Sequence, residues 1–333
     1  MSVTAPSSPP GSSMDAPLPR GSSGMGEVRD ARPGVTAVMT SFNKREFVRR
    51  NLDAIFAQTV KFDAVVVVDN ASSDGTIEMI AANYPDVTLV VMPHSGYGAC
   101  ETFNLGFSTA RTELVAILDD DVELPPDWVD RMTARLSAEP ATTAMVSSHV
   151  WEPGTPDWYM THPEVLRERY MATFRGCATL ARRDVLEKCG WYDPDFFIYG
   201  NERDLSARIL NLGCRILQYP SVVVKHGTPF GMKHGKRSLY YHVRNLWWYL
   251  FKHVPWGQVI AFLFGFLWRS LFGRKKAAVT DAVGTIGFFS TVRETPGGWW
   301  IVVKATFDAF VGLPKCLRKR APCRAPDFSL PLG

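Results

Sequence analysis

The 333-residue chain is poor in the features that would assign it to several common classes. Its six cysteines, Cys100, Cys177, Cys189, Cys214, Cys316 and Cys323, are scattered and form no CxxC pair. That argues against a zinc module or a disulfide framework and for reduced thiols acting as small apolar residues. The first thirty or so residues lack the charged-then-apolar layout of a secretory leader, so the chemistry is expected to be intracellular. No GxGxxG run follows a strand, which disfavours a dinucleotide site. The longest uncharged stretch of the aromatic C-terminal part runs only from Val254 to Trp268, short of the ~20 apolar residues that a membrane-crossing helix needs. The formal net charge of +4 is too small to indicate a nucleic-acid partner, although basic residues dominate from Arg269 to Arg324.

What is present begins after residue 33. Residues 1–33 are rich in Ser, Pro and Gly and are expected to be a disordered tail. From Gly34, short apolar runs alternate with helical periods, the pattern of a mostly parallel sheet covered by helices. Strands are expected at Val35–Met39, Ala64–Val68, Val87–Met92 and Leu114–Leu118. Helices are expected between them, the first from Lys44 to Gln58 with Phe47, Val48, Leu52, Ile55 and Phe56 on one face. Further on, the reading gives a strand at Ala144–Val150, a helix at Arg203–Leu212 stopped by Gly213, and a strand at Arg215–Val224.

Polar clusters follow these strands. Asn43, Asp69 and Asp119 each lie just beyond a strand's carboxyl end, where ligands of open α/β sheets bind. Three consecutive carboxylates, Asp119, Asp120 and Asp121, repel one another unless a cation sits among them, and alternate members point the same way. Asp119 and Asp121 are therefore candidate ligands of Mg²⁺ or Mn²⁺, and Asp120 a ribose or supporting partner. The competing reading is a solvated acidic turn. His226, after an apolar strand and before Gly227, is a third candidate ligand or a structural histidine. Gly96 and Gly98 would let the backbone approach a diphosphate or ribose, while His94 beside them has a weaker case as a ligand.

Taken in order, Met39-Thr40-Ser41-Phe42-Asn43-Lys44, the run Val68 to Thr76, Leu118 to Asp121, Gly176-Cys177-Ala178, Gly190 to Asp193, Gly200 to Arg208 and His226 resemble family 2 glycosyltransferases of the GT-A fold. The resemblance covers about residues 35–250 and implies roles residue by residue. Thr40 and Phe42 would contact the base of a nucleotide-diphosphate sugar. Asp69 would accept the ring N–H of a uracil or thymine, favouring UDP or dTDP donors. Its alternative is a turn partner of Ser72 and Ser73. With Asn43, Asp74, Gly96, Gly98, Asp119 and Asp120 these form the expected donor-binding set. An inverting transfer needs a base for the acceptor hydroxyl; Glu202 is the first candidate and Asp204 the second, because the family's Glu-Asp-x-Asp here reads Asn201-Glu202-Arg203-Asp204.

The resemblance divides the chain into a catalytic domain at 34–237, with a donor-binding half at 34–121 and an acceptor half at 122–237, and a helical extension at 238–333 with a basic tail. The Tyr240–Asn245 run also looks like bacterial rhamnosyl- and galactofuranosyltransferases. With the aromatic, basic end of the chain it suggests a glycan or polyprenyl-linked acceptor at the cytoplasmic face of the plasma membrane. Trp247, Trp248, Trp256 and Trp268 would lie in the interface of an anionic membrane, with Arg269, Arg274, Lys275 and Lys276 toward the lipid. The competing reading is an aromatic layer packed on the catalytic domain. Two other functions compete: a catalytically silent binding module, and a nucleotidyltransferase, which would need a Gly-rich basic triphosphate loop that is not seen near the first strand.

Overall fold

The computed structural model describes residues 32–261, 264 and 288–330. The expected tail at 1–33 falls almost wholly outside the described residues, as do Trp268, Arg269, Arg274, Lys275 and Lys276.

The Val-rich runs become central strands because they can be buried on both faces. Strand β1 (Val35–Ser41) pairs in parallel with β2 (Ala64–Asp69) on one side and β4 (Leu114–Leu118) on the other, and β3 (Val87–Val91) extends the sheet beyond β2. Helices α1 (Arg45–Phe56), α2 (Thr76–Asn83) and α3 (Ala99–Thr109) make the crossovers. Helix α1 buries Val48, Leu52 and Ile55, but Phe47, expected on that face, is 43% exposed and stands beside Gly227. Gly106 of α3 lies so close to β1 that an added Cβ would stand 2.4 Å from Val38 Cγ1.

Beyond β4 the sheet becomes mixed. The short β5 (Val122–Glu123) leads through helix α4 (Trp128–Ser137) to β6 (Thr143–Trp151). One-turn helices α5 (Asp157–Met160) and α6 (Pro163–Leu166) then precede β7 (Arg169–Tyr170) and β8 (Ala178–Arg182). Strand β8 slots antiparallel between β4 and β6, and the long β9 (Arg215–His226) runs parallel to β6 and antiparallel to β5 and β7. Helices α7 (Arg183–Cys189) and α8 (Asn201–Asn211) fill the interval before β9. The carboxyl ends of β1, β4, β6 and β9 thereby meet along one edge of the sheet.

Helix α9 (Lys236–His253), placed by hydropathy at a membrane surface or in an aromatic layer, is a packing helix. Leu239, Val243, Trp248, Tyr249, Leu250 and Phe251 are buried, and Trp248 Nε1 donates to the Ala309 carbonyl at 3.1 Å. Its partners are α8 and the helices Gly298–Val311 and Leu313–Arg318. Among the described residues no helix is long and apolar enough to cross a membrane.

The join between α9 and α8 is charged. Lys252, 3% exposed, donates to Asp193 at 2.8 Å and to Asp204, which is fully buried and also accepts from His253 at 2.8 Å and from Arg208 Nη2 at 2.7 Å. Burial opposes the charge on Asp204, but His253, Arg208 and Lys252 outweigh it and hold its pKa well below the usual carboxylate range. Removing one partner of such a cluster leaves an uncompensated buried charge. Lys252→Met is expected to destabilise the fold by about 3 kcal/mol, read as a lowered midpoint in urea unfolding; an unchanged midpoint would show that the cluster is not what secures α9.

Candidate active site

The edge formed by the strand ends opens into a cleft of about 720 Å³, the size of a small-molecule site. Thr40 and Phe42 from β1, the acidic triplet after β4, Glu152 after β6, Glu202 on α8 and His226 at the end of β9 all line it.

Strand pairing explains how the acidic triplet and His226 meet. After Asp121 the chain enters β5, whose antiparallel register sets Val122 against His226, and Gly227 N donates to the Asp121 carbonyl at 2.8 Å. A Cβ at Gly227 would stand 2.9 Å from the Phe47 ring and 3.2 Å from Asp121 Cβ, so the glycine leaves room for this approach. Asn51 of α1 donates to the Asp119 carbonyl at 2.6 Å and fixes the first turn of the triplet. The His226 Nε2 atom lies 3.0 Å from Asp121 Oδ1 and 3.4 Å from Asp119 Oδ2. One ligand atom from each of Asp119, Asp121 and His226 falls within 4.8 Å of the others.

These residues fit a divalent cation. Two carboxylates and an imidazole nitrogen at this spacing must repel or share a proton unless a cation lies among them. The other imidazole nitrogen, Nδ1, is 2.9 Å from Glu152 Oε1, the carboxylate–histidine arrangement that orients a metal-ligating ring. Burial disfavours charge on His226, yet Cys177 and the hydrogen bonds with Asp119, Asp121 and Glu152 hold its pKa above the ordinary imidazole range. Glu152 was not singled out from the sequence. It belongs to the site only because β6 and β9 are parallel in a register that sets Trp151 against Lys225. The Asp121 carboxylate also accepts from Thr228 at 3.0 Å and from Lys44 Nζ at 3.1 Å, while Lys44 donates at 2.7 Å to Asp120. Asp120 is therefore a partner of Lys44, and burial is the largest influence pushing its carboxyl up to about 6.

Of the two base candidates the structure brings one to the cleft. Glu202 lines it, and burial, with the Asp119 charge adding to the effect, pushes its carboxyl up to about 7. A Cβ on Gly176 would stand 2.6 Å from Glu202 Oε1, so the glycine clears the space that the carboxylate occupies. Asp204 points instead into the buried cluster with Lys252, Arg208 and His253, and its lowered pKa makes it a poor proton acceptor. Asp204, the second candidate base, thus lies outside the cleft.

The loop that delivers α8 is tightly bent, with Phe197 and Tyr199 at positive φ (66° and 63°). The Arg244-Asn245 pair of α9 holds it. Asn245 Nδ2 reaches the carbonyls of Phe196, Ile198 and Tyr199 at 2.7–3.0 Å, and Arg244 Nη2 those of Asp195 and Phe196 at 2.9 Å. The Tyr240–Asn245 run thus clamps the loop before the helix that carries Glu202.

The donor-side expectations fare differently from one another. Asp69 is fully buried: it accepts from Ser41 Oγ at 2.6 Å and from Ser72 N and Oγ, both at 2.7 Å, so here it serves the turn rather than facing the cleft. Asn43, at φ 51°, accepts from Ser73 N at 2.8 Å, and Asp74 accepts from Arg45 N at 3.0 Å and Thr76 N at 3.1 Å; these two knit the β1 and β2 loops together. Gly98 caps α3 where a Cβ would meet the Phe197 carbonyl at 2.5 Å. Gly96 lies beside His94, which stacks on Tyr97, and it is Tyr97 that lines the cleft.

Comparison with known proteins agrees with this fold. Among solved structures the chain is similar to a mannosyltransferase from Pyrobaculum calidifontis in complex with GDP-Man and Mn²⁺, with a TM-score of 0.55 at 22% identity over 86% of this chain and 73% of that one. It is also similar to GalNAc-T7 with UDP, GalNAc and Mn²⁺, with a TM-score of 0.52 at 17% identity over 66% and 49% of the two chains. At these identities the likeness carries the fold, which is GT-A. Among curated proteins it matches the succinoglycan biosynthesis protein ExoO of Rhizobium meliloti, 34% identical over 35% of this chain and 33% of that protein, and chondroitin synthase of Escherichia coli, 22% identical over 60% and 35%. The chain thus spans about a third of the length of the curated relatives it matches. The model of glycosyl transferase family 2 matches residues 36–202, from the first strand to the helix that carries Glu202, and the protein belongs to that family.

Proposed function

We propose that the protein is an inverting, metal-dependent transferase that moves a hexosyl, rhamnosyl or galactofuranosyl residue from a UDP- or dTDP-sugar to a hydroxyl of a glycan or lipid-linked acceptor in polysaccharide synthesis. The observation that carries the reading is the shared cleft, in which the carboxylates of Asp119 and Asp121, the His226 imidazole and the Glu202 carboxylate face one space. Asp119, Asp121 and His226 would hold Mg²⁺ or Mn²⁺, which when bound supplies positive charge against the nucleotide diphosphate. Glu202, ionised, takes the acceptor hydroxyl's proton as that oxygen bonds to the anomeric carbon and the bond to the diphosphate breaks. Gly176 and the Arg244-Asn245 clamp keep the base in place, and Glu152 keeps the His226 ring oriented. A polysaccharide acceptor is supported by the likeness to ExoO and chondroitin synthase. A pyrimidine donor rests on Asp69, whose Ser72 partner is half-buried and would have to turn aside to expose the carboxylate to a base.

Slow hydrolysis of nucleotide sugars in the presence of Mn²⁺ tests the reading, with UDP- and dTDP-sugars expected to turn over and GDP-sugars not. Asp121→Ala is expected to lower the rate by at least ~10²–10³-fold; a variant that keeps full activity in chelator would remove the metal from the mechanism. No release of any nucleotide by the wild type would instead favour a silent binding module.

Because Glu202 acts as a base only when ionised, kcat/KM of the metal-loaded enzyme is expected to rise by about tenfold per pH unit below the pKa and to level off above about 7. Glu202→Gln should lose about 10²–10⁴-fold in kcat at every pH. A flat profile from about pH 5 to about pH 8 would assign the base elsewhere.

Gly176→Ala pushes directly on the Glu202 carboxylate. We expect kcat to fall by about 10²-fold with KM for the donor and the unfolding midpoint nearly unchanged. Equal losses in binding and stability would mean that the glycine serves packing alone.

A further inference from the structure

The large exposed apolar side chains are concentrated at one end of the chain. On the helix Gly298–Val311, Trp299, Trp300, Val303, Phe307, Phe310 and Val311 are between 49% and 72% exposed. At about 100° per residue these six fall within an arc of about 120° on one side. The opposite side is the packing side: Ala305 and Ala309 are fully buried, and Trp248 of α9 bonds to the Ala309 carbonyl. Trp256, Ile260 and Phe289, on neighbouring segments, are also about half exposed. A water-soluble surface rarely leaves so wide an aromatic stripe bare unless something covers it.

The charges around the stripe identify the cover. Lys304 and Asp308 mark its edge as an ion pair. Of the seven cations in the described residues 288–330, Lys315 and Lys319 pair with Asp195 and Asp193 and Arg320 binds the Phe251 and Val254 carbonyls, while Arg293, Arg318 and Arg324 are exposed. Paired tryptophans at the start of an apolar helical face, with a surplus of cations nearby, match the headgroup level of an anionic bilayer. The acceptor side of the cleft is tied to this end of the molecule: His234, which lines the cleft, pairs with Glu294 at 2.9 Å, just before the exposed helix begins.

We infer that the 298–311 helix is an in-plane membrane anchor, whose exposed face lies in the headgroup region of an anionic bilayer and turns the rim of the cleft toward the lipid surface. This names specific residues for the anionic membrane surface that composition suggested, and it places an acceptor on a lipid carrier within reach of the site. It rests on the proposed acceptor class only for that last consequence, since the docking itself is independent of catalysis.

The test is sedimentation of the full chain with vesicles of phosphatidylcholine containing phosphatidylglycerol, alongside vesicles of phosphatidylcholine alone. Wild type is expected to bind the anionic vesicles, to bind at least about tenfold less in about 0.5 M salt, and to show blue-shifted tryptophan emission when bound. The double variant Trp300→Glu with Phe307→Glu should lose at least about tenfold in vesicle binding while hydrolysing nucleotide sugar in solution as before. Wild type remaining in the supernatant at low salt would overturn the inference. So would a concentration-dependent dimer in sedimentation velocity that the double variant abolishes, because the face would then belong to a second copy. Vesicle binding without any nucleotide-sugar turnover would leave the anchor standing and remove the proposed reaction instead.

Discussion

The antiparallel register that sets Val122 against His226 is the constraint on which the site depends. It joins the last acidic residue of the triplet to a histidine more than a hundred positions later, and it uses a backbone hydrogen bond from Gly227 to Asp121 to do so. Once β9 is anchored there, its parallel pairing with β6 places Glu152 against the second ring nitrogen of His226. Four carboxylates, those of Asp119, Asp120, Asp121 and Glu152, and an imidazole are then gathered in one place. Their mutual repulsion stores a demand for positive charge, which Lys44 meets in part through Asp120 and Asp121. Asp119, Asp121 and His226 together retain the geometry that a divalent ion would satisfy.

Glu202 is held by a different device. Glu202 sits on the first turn of α8, beyond a loop with two non-glycine residues at positive φ, a conformation that persists only where the surroundings over-determine it. Those surroundings come from α9. Asn245 and Arg244 bind the loop's carbonyls, and Lys252 and His253 neutralise Asp204 one turn further on. The extension beyond the sheet thus helps to fix where Glu202 stands, and the same helix carries the C-terminal helices on its other side.

Much of the frame was legible in the residues. Short continuous Val and Leu runs between turn residues read as buried strands, and the observed β1, β2, β3 and β4 lie within two residues of the expected bounds. The triplet's position at a strand end and the choice of Asp119 and Asp121 as the alternate pair follow from local order and period, whereas Glu202 as the first candidate base came from the resemblance to the family motif. The reading was less informative where a side chain has two local uses. Asp69 could meet a base or its own turn, and with Ser41 and Ser72 both within 2.7 Å the turn holds it. Phe47 shares a helical face with the core residues by spacing, yet it lies at the rim of that face, beside Gly227.

What the sequence by itself determined is the inventory: an α/β sheet, an acidic triplet at a strand end, a glutamate on a helix, and an apolar, basic end. These follow from periodicity and from the charge of neighbouring residues, which are local properties. Only the tertiary structure decided which members of that inventory act together. It took Asp204 out of the cleft by burying it among Lys252, Arg208 and His253, brought in Glu152 and Lys44, and turned α9 from a candidate surface helix into a packed one. The reason is that strand register and helix docking set distances between residues far apart in the chain, and no short-range pattern of apolar and polar residues encodes them.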